Sequence, residues 1–91
     1  MKFEWNKQKA KANLKKHQVS FEEAETVFDD LLFLIFADLD HSIEEKWFII
    51  LGESNQGKLL VVAFTEREPV TRLISARKAT LTERKNYEEE I

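Results

Sequence analysis

The segment Arg72-Leu73-Ile74-Ser75-Ala76-Arg77-Lys78-Ala79-Thr80 holds the side chains best suited to chemistry. It reads as a last strand that ends on two adjacent cations, with a helix start directly behind. A guanidinium grips a phosphate or a carboxylate through two parallel hydrogen bonds, and its charge is insensitive to pH. Arg77 and Lys78 are therefore the first candidates for phosphate contacts. The competing reading pairs Arg77 with an acid such as Glu83. Arg72 lies on the same strand, but strict alternation puts it on the opposite face, with Ile74 and Ala76. Arg72 and Arg77 can share a site only if a bulge intervenes or one of them works at the rim. Arg67, in a turn beside the start of that strand, is a further candidate, because binding residues concentrate in loops. His41 is the better placed of two histidines for proton transfer, since imidazole exchanges protons near neutral pH. It sits among Asp38, Asp40 and Glu45, which could equally hold it in a surface ion pair. Glu66 is a weaker candidate base.

These side chains need a scaffold, and the chain spells one out. Phe3-Glu4-Trp5 alternates as a short strand. Asn6 is an N-cap for a helix to about His17, on which Ala10, Asn13, Leu14 and His17 share one face and Lys7, Lys11 and Lys15 another. That face makes His17 more a packed histidine than a reactive one. Ser20-Phe21-Glu22-Glu23 is a capping box opening a second helix. Asp29-Asp30 predicts its end near Phe28, because anions are repelled at a helix C-terminus. Strands are predicted over residues 32–37, 46–52, 58–65 and 70–77, joined by hairpin-length turns at 53–57 and 66–69. Residues 38–45 form a polar connection. Thr80 and Glu83 make a second capping box, starting a helix to about Glu90. Trp5, Trp47, Phe33, Phe36 and Phe64 are expected in the core. The fold class is α+β: an antiparallel four-stranded sheet, plus a short N-terminal strand, packed with three helices.

Ninety-one residues make one domain spanning 1–91. There are no cysteines, so neither disulfides nor a thiolate metal site arise, and two histidines without helical spacing do not suggest zinc. No metal or cofactor is expected. No leader-like segment and no stretch of membrane-spanning length is read, so a cytoplasmic protein is expected. The net charge of −3 hides segregation. Residues 1–18 carry +5, residues 19–65 carry −8, and residues 66–91 are balanced. Overall acidity argues against a general polyanion binder, while a local basic patch forms if the two chain ends meet in the fold.

A set of blocks in fixed order resembles the BrnT toxin family. These are Phe3-Glu4-Trp5; Asn13 with Lys16-His17; Val19-Ser20-Phe21-Glu22-Glu23-Ala24 with Val27-Phe28; Asp40-His41-Ser42 with Glu45; Gly52; Thr65-Glu66-Arg67; the stretch from Arg72 to Lys78; and Glu83-Arg84 with Tyr87. Three positions depart from the pattern. Gln18 stands where Gly is expected after the histidine, Lys46 where Arg is usual, and Asn6 where Asp is usual. The resemblance implies a RelE-like fold and an RNase of a bacterial type II toxin–antitoxin pair. It further implies neutralisation by a BrnA-like, DNA-binding antitoxin, with operator DNA reached only through that antitoxin.

An RNase that works without a metal needs a base for the ribose 2′-OH, an acid for the departing 5′ oxygen, and fixed donors for the charge on phosphorus oxygens. RelE-like enzymes often assemble this from Arg, Lys and Tyr. The expected catalytic set is Arg67, Arg72, Arg77, His41 and Tyr87, with Lys78, Arg84 and Lys46 on the RNA. Tyr87 could also simply anchor the final helix. The expectation is that guanidiniums from separated segments converge on one phosphodiester, and that bound RNA is cut and translation inhibited. The alternative is a catalytically inactive toxin-like module that binds the antitoxin and tunes operator binding. A plain RNA binder using the first helix's lysines is a third reading.

Overall fold

A computed structural model describes residues 1–41 and 44–90. Ser42, part of one block named above, lies outside the described residues. The order is β1 (Lys2–Glu4), α1 (Lys7–His17), α2 (Phe21–Glu25) running into a 3-10 helix (Thr26–Asp29), β2 (Leu34–Asp38), a second 3-10 helix (Leu39–His41), β3 (Trp47–Glu53), β4 (Leu59–Arg67), β5 (Val70–Lys78) and α3 (Leu81–Glu89). The caps behave as the sequence predicts. Asn6 accepts from the N–H groups of Gln8 and Lys9, Ser20 from that of Glu23, and Thr80 and Glu83 complete a reciprocal capping box. Asp30 is extended, so the helical segment stops before it. Gln18 does not rebuild the helix exit. It adopts the left-handed conformation itself (φ 60°), and its N–H closes on the Leu14 carbonyl at 2.8 Å.

The sheet corrects one expectation. It has five strands in the order β1-β5-β4-β3-β2 and is mixed, not an antiparallel four-stranded sheet with a separate first strand. β1 runs parallel to β5, pairing Lys2 with Val70, Phe3 with Thr71 and Glu4 with Arg72. The other pairings are antiparallel. β1 reaches only the first third of β5. Beyond it, the buried Asn13 of α1 stands in for a strand. Its amide donates to the Ala76 carbonyl at 2.8 Å and its carbonyl accepts from the Ala76 N–H at 3.0 Å. The same amide also donates to the Val19 carbonyl. This is how the lysine-rich first helix is fastened beside the last strand, bringing the two chain ends together.

The sheet divides the core in two. One face packs Ile50, Leu60, Val62, Phe64, Leu73 and Ala76 against Val19, Phe21, Ala24 and Val27 of the first helices. A line of rings, Phe3 to Phe28 to Phe64 to Phe48, crosses it at centroid spacings of 5.0, 5.0 and 5.6 Å, the first pair tilted, the second edge-on and the third stacked. Gly52 lets the 3-10 helix approach, since a Cβ there would meet Val27 Cγ1 at 2.9 Å. The other face carries a smaller cluster, Leu51, Leu59 and Val61, under Tyr87 of α3. Phe33 and Phe36 were expected in the core but are 41% and 49% exposed. β2 is the last strand of the sheet, so neither gains a neighbour on its outer side. Leu14 is likewise half exposed, leaving Ala10 and Asn13 as the packed side of α1.

Candidate functional site

The parity problem of β5 is resolved by a bulge. Ala63 pairs with Ser75 and Phe64 with Leu73, so Ile74 is left without an opposite residue. Cross-strand partners share a face. Arg77 therefore lies with Val61, Ser75 with Ala63, and Arg72 with Thr65, all on the face that carries α3. Arg67, two residues beyond Thr65, faces the same way. Without the extra residue, Arg72 and Arg77 would point to opposite sides.

At one end of this face the structure gathers groups from all five strands. A row of strand partners runs Glu4, Arg72, Thr65, Trp47 and Asp38 across all five strands. Arg72 donates to Glu4 at 2.6 Å. Arg67 grips Glu45 side-on, through Nε at 3.3 Å and Nη2 at 3.1 Å. That hydrogen bond holds the Glu45 carboxyl below its ordinary range and raises the guanidinium's pKa further, with Arg72 and Glu4 adding through the field. His41 stacks on Trp47 (centroids 5.4 Å, planes 14° apart), and its Nδ1 lies 2.9 Å from Asp38 Oδ2. An aspartate at Nδ1 favours the tautomer with its proton there, which leaves the Nε2 lone pair facing outward. Thr65 is buried and ties the row down by donating to the Lys46 carbonyl at 2.7 Å.

Arg77 does not join this cluster. Val61, its partner, is four residue steps along β4 from Thr65, the partner of Arg72. At roughly 3.3 Å per residue that is about 13 Å, and about 20 Å from Arg67. Arg77 is instead bidentate to Glu83, both contacts at 2.8 Å, and the same carboxylate receives the Thr80 N–H. The Arg77 bonds foremost hold Glu83 down to about 2. Tyr87 also stands apart. Its hydroxyl donates to Asp30 at 2.6 Å, and burial, then the Asp30 charge, pushes it up to about 12. Burial alone would raise Asp30, but the N–H of Glu53, the Tyr87 hydroxyl and the N–H of Leu32 together hold it low. Lys46, Lys78 and Arg84 are exposed. A single phosphodiester reached by every expected cation is thus not what the fold provides.

Between the two ends lies a hollow of about 230 Å³ beside the bulge, lined by Ile74 and Ser75 of β5 and by Lys9, Asn13, Lys16 and His17 of α1. A larger hollow of about 600 Å³, elsewhere, is lined by Asp29, Asp30 and Glu53 and suits no anion. Among the described residues, no three His, Cys, Asp or Glu side chains cluster as a metal site requires. Sequence reading gave Glu4 and Ser75 no role of their own, although both stood in quoted blocks, and placed Trp47 in the core. Their shared face depends on pairings between distant segments.

The profile described as "Ribonuclease toxin, BrnT, of type II toxin-antitoxin system" matches residues 5–83, most of the chain. The chain belongs to the BrnT family. A BrnT protein is a ribonuclease toxin of a type II system, and membership implies an antitoxin partner. The fold agrees. The crystal structure of the Brucella abortus ribonuclease toxin BrnT superposes with a TM-score of 0.68 at 24% identity, over 88% of this chain and 97% of that one. No curated relative matches the sequence. Among the described residues no helix is long and apolar enough to cross a membrane.

Proposed function

We propose that this BrnT-family chain is a cytoplasmic, metal-independent endoribonuclease that cuts RNA by attack of the ribose 2′-oxygen and blocks translation until an antitoxin binds it. The supporting observation is the meeting of Arg67, Arg72 and an aspartate-oriented His41 on one open sheet face. In this reading His41 Nε2 removes the 2′-OH proton, and Asp38 steadies the imidazolium that forms. The 2′-oxygen bonds to phosphorus, the bond to the 5′ oxygen breaks, and that oxygen takes its proton from water. The products are a 2′,3′-cyclic phosphate and a 5′-hydroxyl. Arg72 spends one terminal nitrogen on Glu4, and Arg67 spends Nε and one terminal nitrogen on Glu45. The remaining donors of each fork face the phosphate and stabilise its extra charge. Lys9, Lys16 and His17, then Lys78 with Arg84, hold neighbouring phosphates of the same strand. Lys46 flanks the row. A RelE-like ancestry and a DNA-binding, BrnA-like antitoxin fit the same reading.

The test uses antitoxin-free protein, EDTA and an RNA carrying a single 2′-deoxy substitution at the cut. Cleavage in EDTA with cyclic-phosphate ends, blocked by the deoxy substitution and lost in Arg72→Ala, is the expected result. Full activity in Arg72→Ala and Arg67→Ala together would remove the assigned site. One observation favours a second reading, an inactive module that binds antitoxin and tunes operator binding. All three arginines of the face already hold carboxylates. That reading expects no cyclic-phosphate ends from any preparation of the chain.

A further inference from the structure

β2 ends the sheet, and among the described residues no strand lies against its outer edge. Natural edges are blunted by lysine, proline or a covering element. This one reads Leu34-Ile35-Phe36-Ala37, with charge only at Asp38. Ile35 and Phe36 are each about half exposed, Leu31 just before the strand is 97% exposed, and Leu39 just after it is 84% exposed. So continuous an apolar edge marks an interaction site.

The two sides of the edge differ chemically. Ile35 pairs with Ile50 and so faces the side of the first helices. There a hollow of about 280 Å³ is lined by Phe28, Phe33, Ile35, Phe48 and Phe64, almost wholly apolar. Phe36 pairs with Ile49 and faces the other side, where a hollow of about 370 Å³ lies between β2 and α3 beside Glu89 and Glu90. A strand added to this edge alternates its side chains between those hollows.

We infer that the antitoxin docks as an added strand on the outer edge of β2, through an extended segment alternating apolar with basic residues. The apolar side chains enter the Phe33/Ile35 hollow and the basic ones reach Glu89 and Glu90. The stretch 19–65 that contains β2 carries −8, which complements a basic segment. A second copy of this chain fits worse. Two-fold pairing through β2 keeps α3 of both copies on one face, so Glu89 and Glu90 of one approach those of the other. The inference rests on the family's antitoxin. With the ribonuclease reading it also says how silencing works. β2 ends at Asp38, so the added strand finishes beside His41 and disturbs the base without covering Arg72.

The experiment titrates the toxin with its cognate antitoxin by calorimetry, using wild type, Ile35→Lys/Phe36→Lys and Glu89→Lys/Glu90→Lys. All four side chains lie at the surface, and thermal melts check that each variant stays folded. The Ile35/Phe36 variant is expected to lose at least a hundredfold in affinity. The Glu89/Glu90 variant is expected to lose at least tenfold at low salt, with a flatter salt dependence. Amide exchange at residues 34–38 should slow in the complex. Affinity within twofold of wild type for the Ile35/Phe36 variant, or unchanged exchange at 34–38, overturns the inference. A free dimer that this variant dissolves while antitoxin affinity persists assigns the edge to a second copy, and also overturns it. RNA cleavage by the free variant is measured separately and is expected at the wild-type level. If neither protein cleaves RNA, the ribonuclease reading fails while the docking result is still read from affinity.

Discussion

Arg72 and Arg77 stand on one strand and one face, yet their surroundings differ in kind. Arg72 holds Glu4 by one contact, in the row that Thr65, Trp47 and Asp38 continue across the sheet. Arg77 is locked side by side onto Glu83, which is itself the return arm of the α3 capping box. One guanidinium spends a single nitrogen on its carboxylate, and the other fastens a helix to a strand end. Residue type therefore does not assign the role. What separates these two is how many donors the fold has already committed and which element their carboxylates belong to.

The largest expected effect separates these two arginines. Arg72→Ala should lower RNA cleavage by about 10²–10³-fold, the usual cost of one oxyanion donor. Arg77→Ala should keep cleavage within about tenfold, while each variant loses about 0.5–1 kcal/mol of stability with its partly exposed ion pair. Paired kinetics and melts on both variants check this, and equal kinetic losses would erase the distinction. His41→Gln should cost about 10²-fold in RNA cleavage. Asp38→Asn should show a smaller loss of cleavage.

The α3 end has its own breaking points. Asp30 joins the Glu53 and Leu32 N–H groups to the Tyr87 hydroxyl, and the same loop sits against Gly52. Gly52→Ala must push Val27 or Asp30 aside and should destabilise by about 1–3 kcal/mol in a denaturant titration. The Glu83 carboxyl, held near 2 against an ordinary 4.5, stabilises the fold above pH 4.5 and loses that contribution as the pH falls toward 2. The wild-type acid unfolding curve should therefore be steeper over that window than that of Glu83→Gln. The smallest effect lies remote from both arginines. Gln18→Gly relieves a left-handed backbone (φ 60°) and should stabilise by about 0.5–1 kcal/mol.

Much of the scaffold was legible because its signals are local. Caps at Asn6, Ser20 and Thr80 and hairpin turns depend on residues a few positions apart, and they placed most elements to within two residues. The exposed Phe33 and Phe36 were misread. Their composition says core, and only the place of Phe36 on the outermost strand, with Phe33 just before it, says otherwise. The candidate site was legible as a set of residues but not as a constellation. Tyr87, read as either reactive or anchoring, is engaged by Asp30, fifty-seven positions away in sequence.

By itself the sequence determined the elements, the family and the chemical vocabulary of arginine, histidine and carboxylate. These follow from short-range hydrogen bonding, periodicity and recurring blocks. Tertiary structure alone decided which arginines meet. One unpaired residue at Ile74 turns Arg72 onto the face of Arg77, and parallel pairing of β1 sets Glu4 against it. Register and bulges are set by packing across strands distant in sequence, so no local signal announces them.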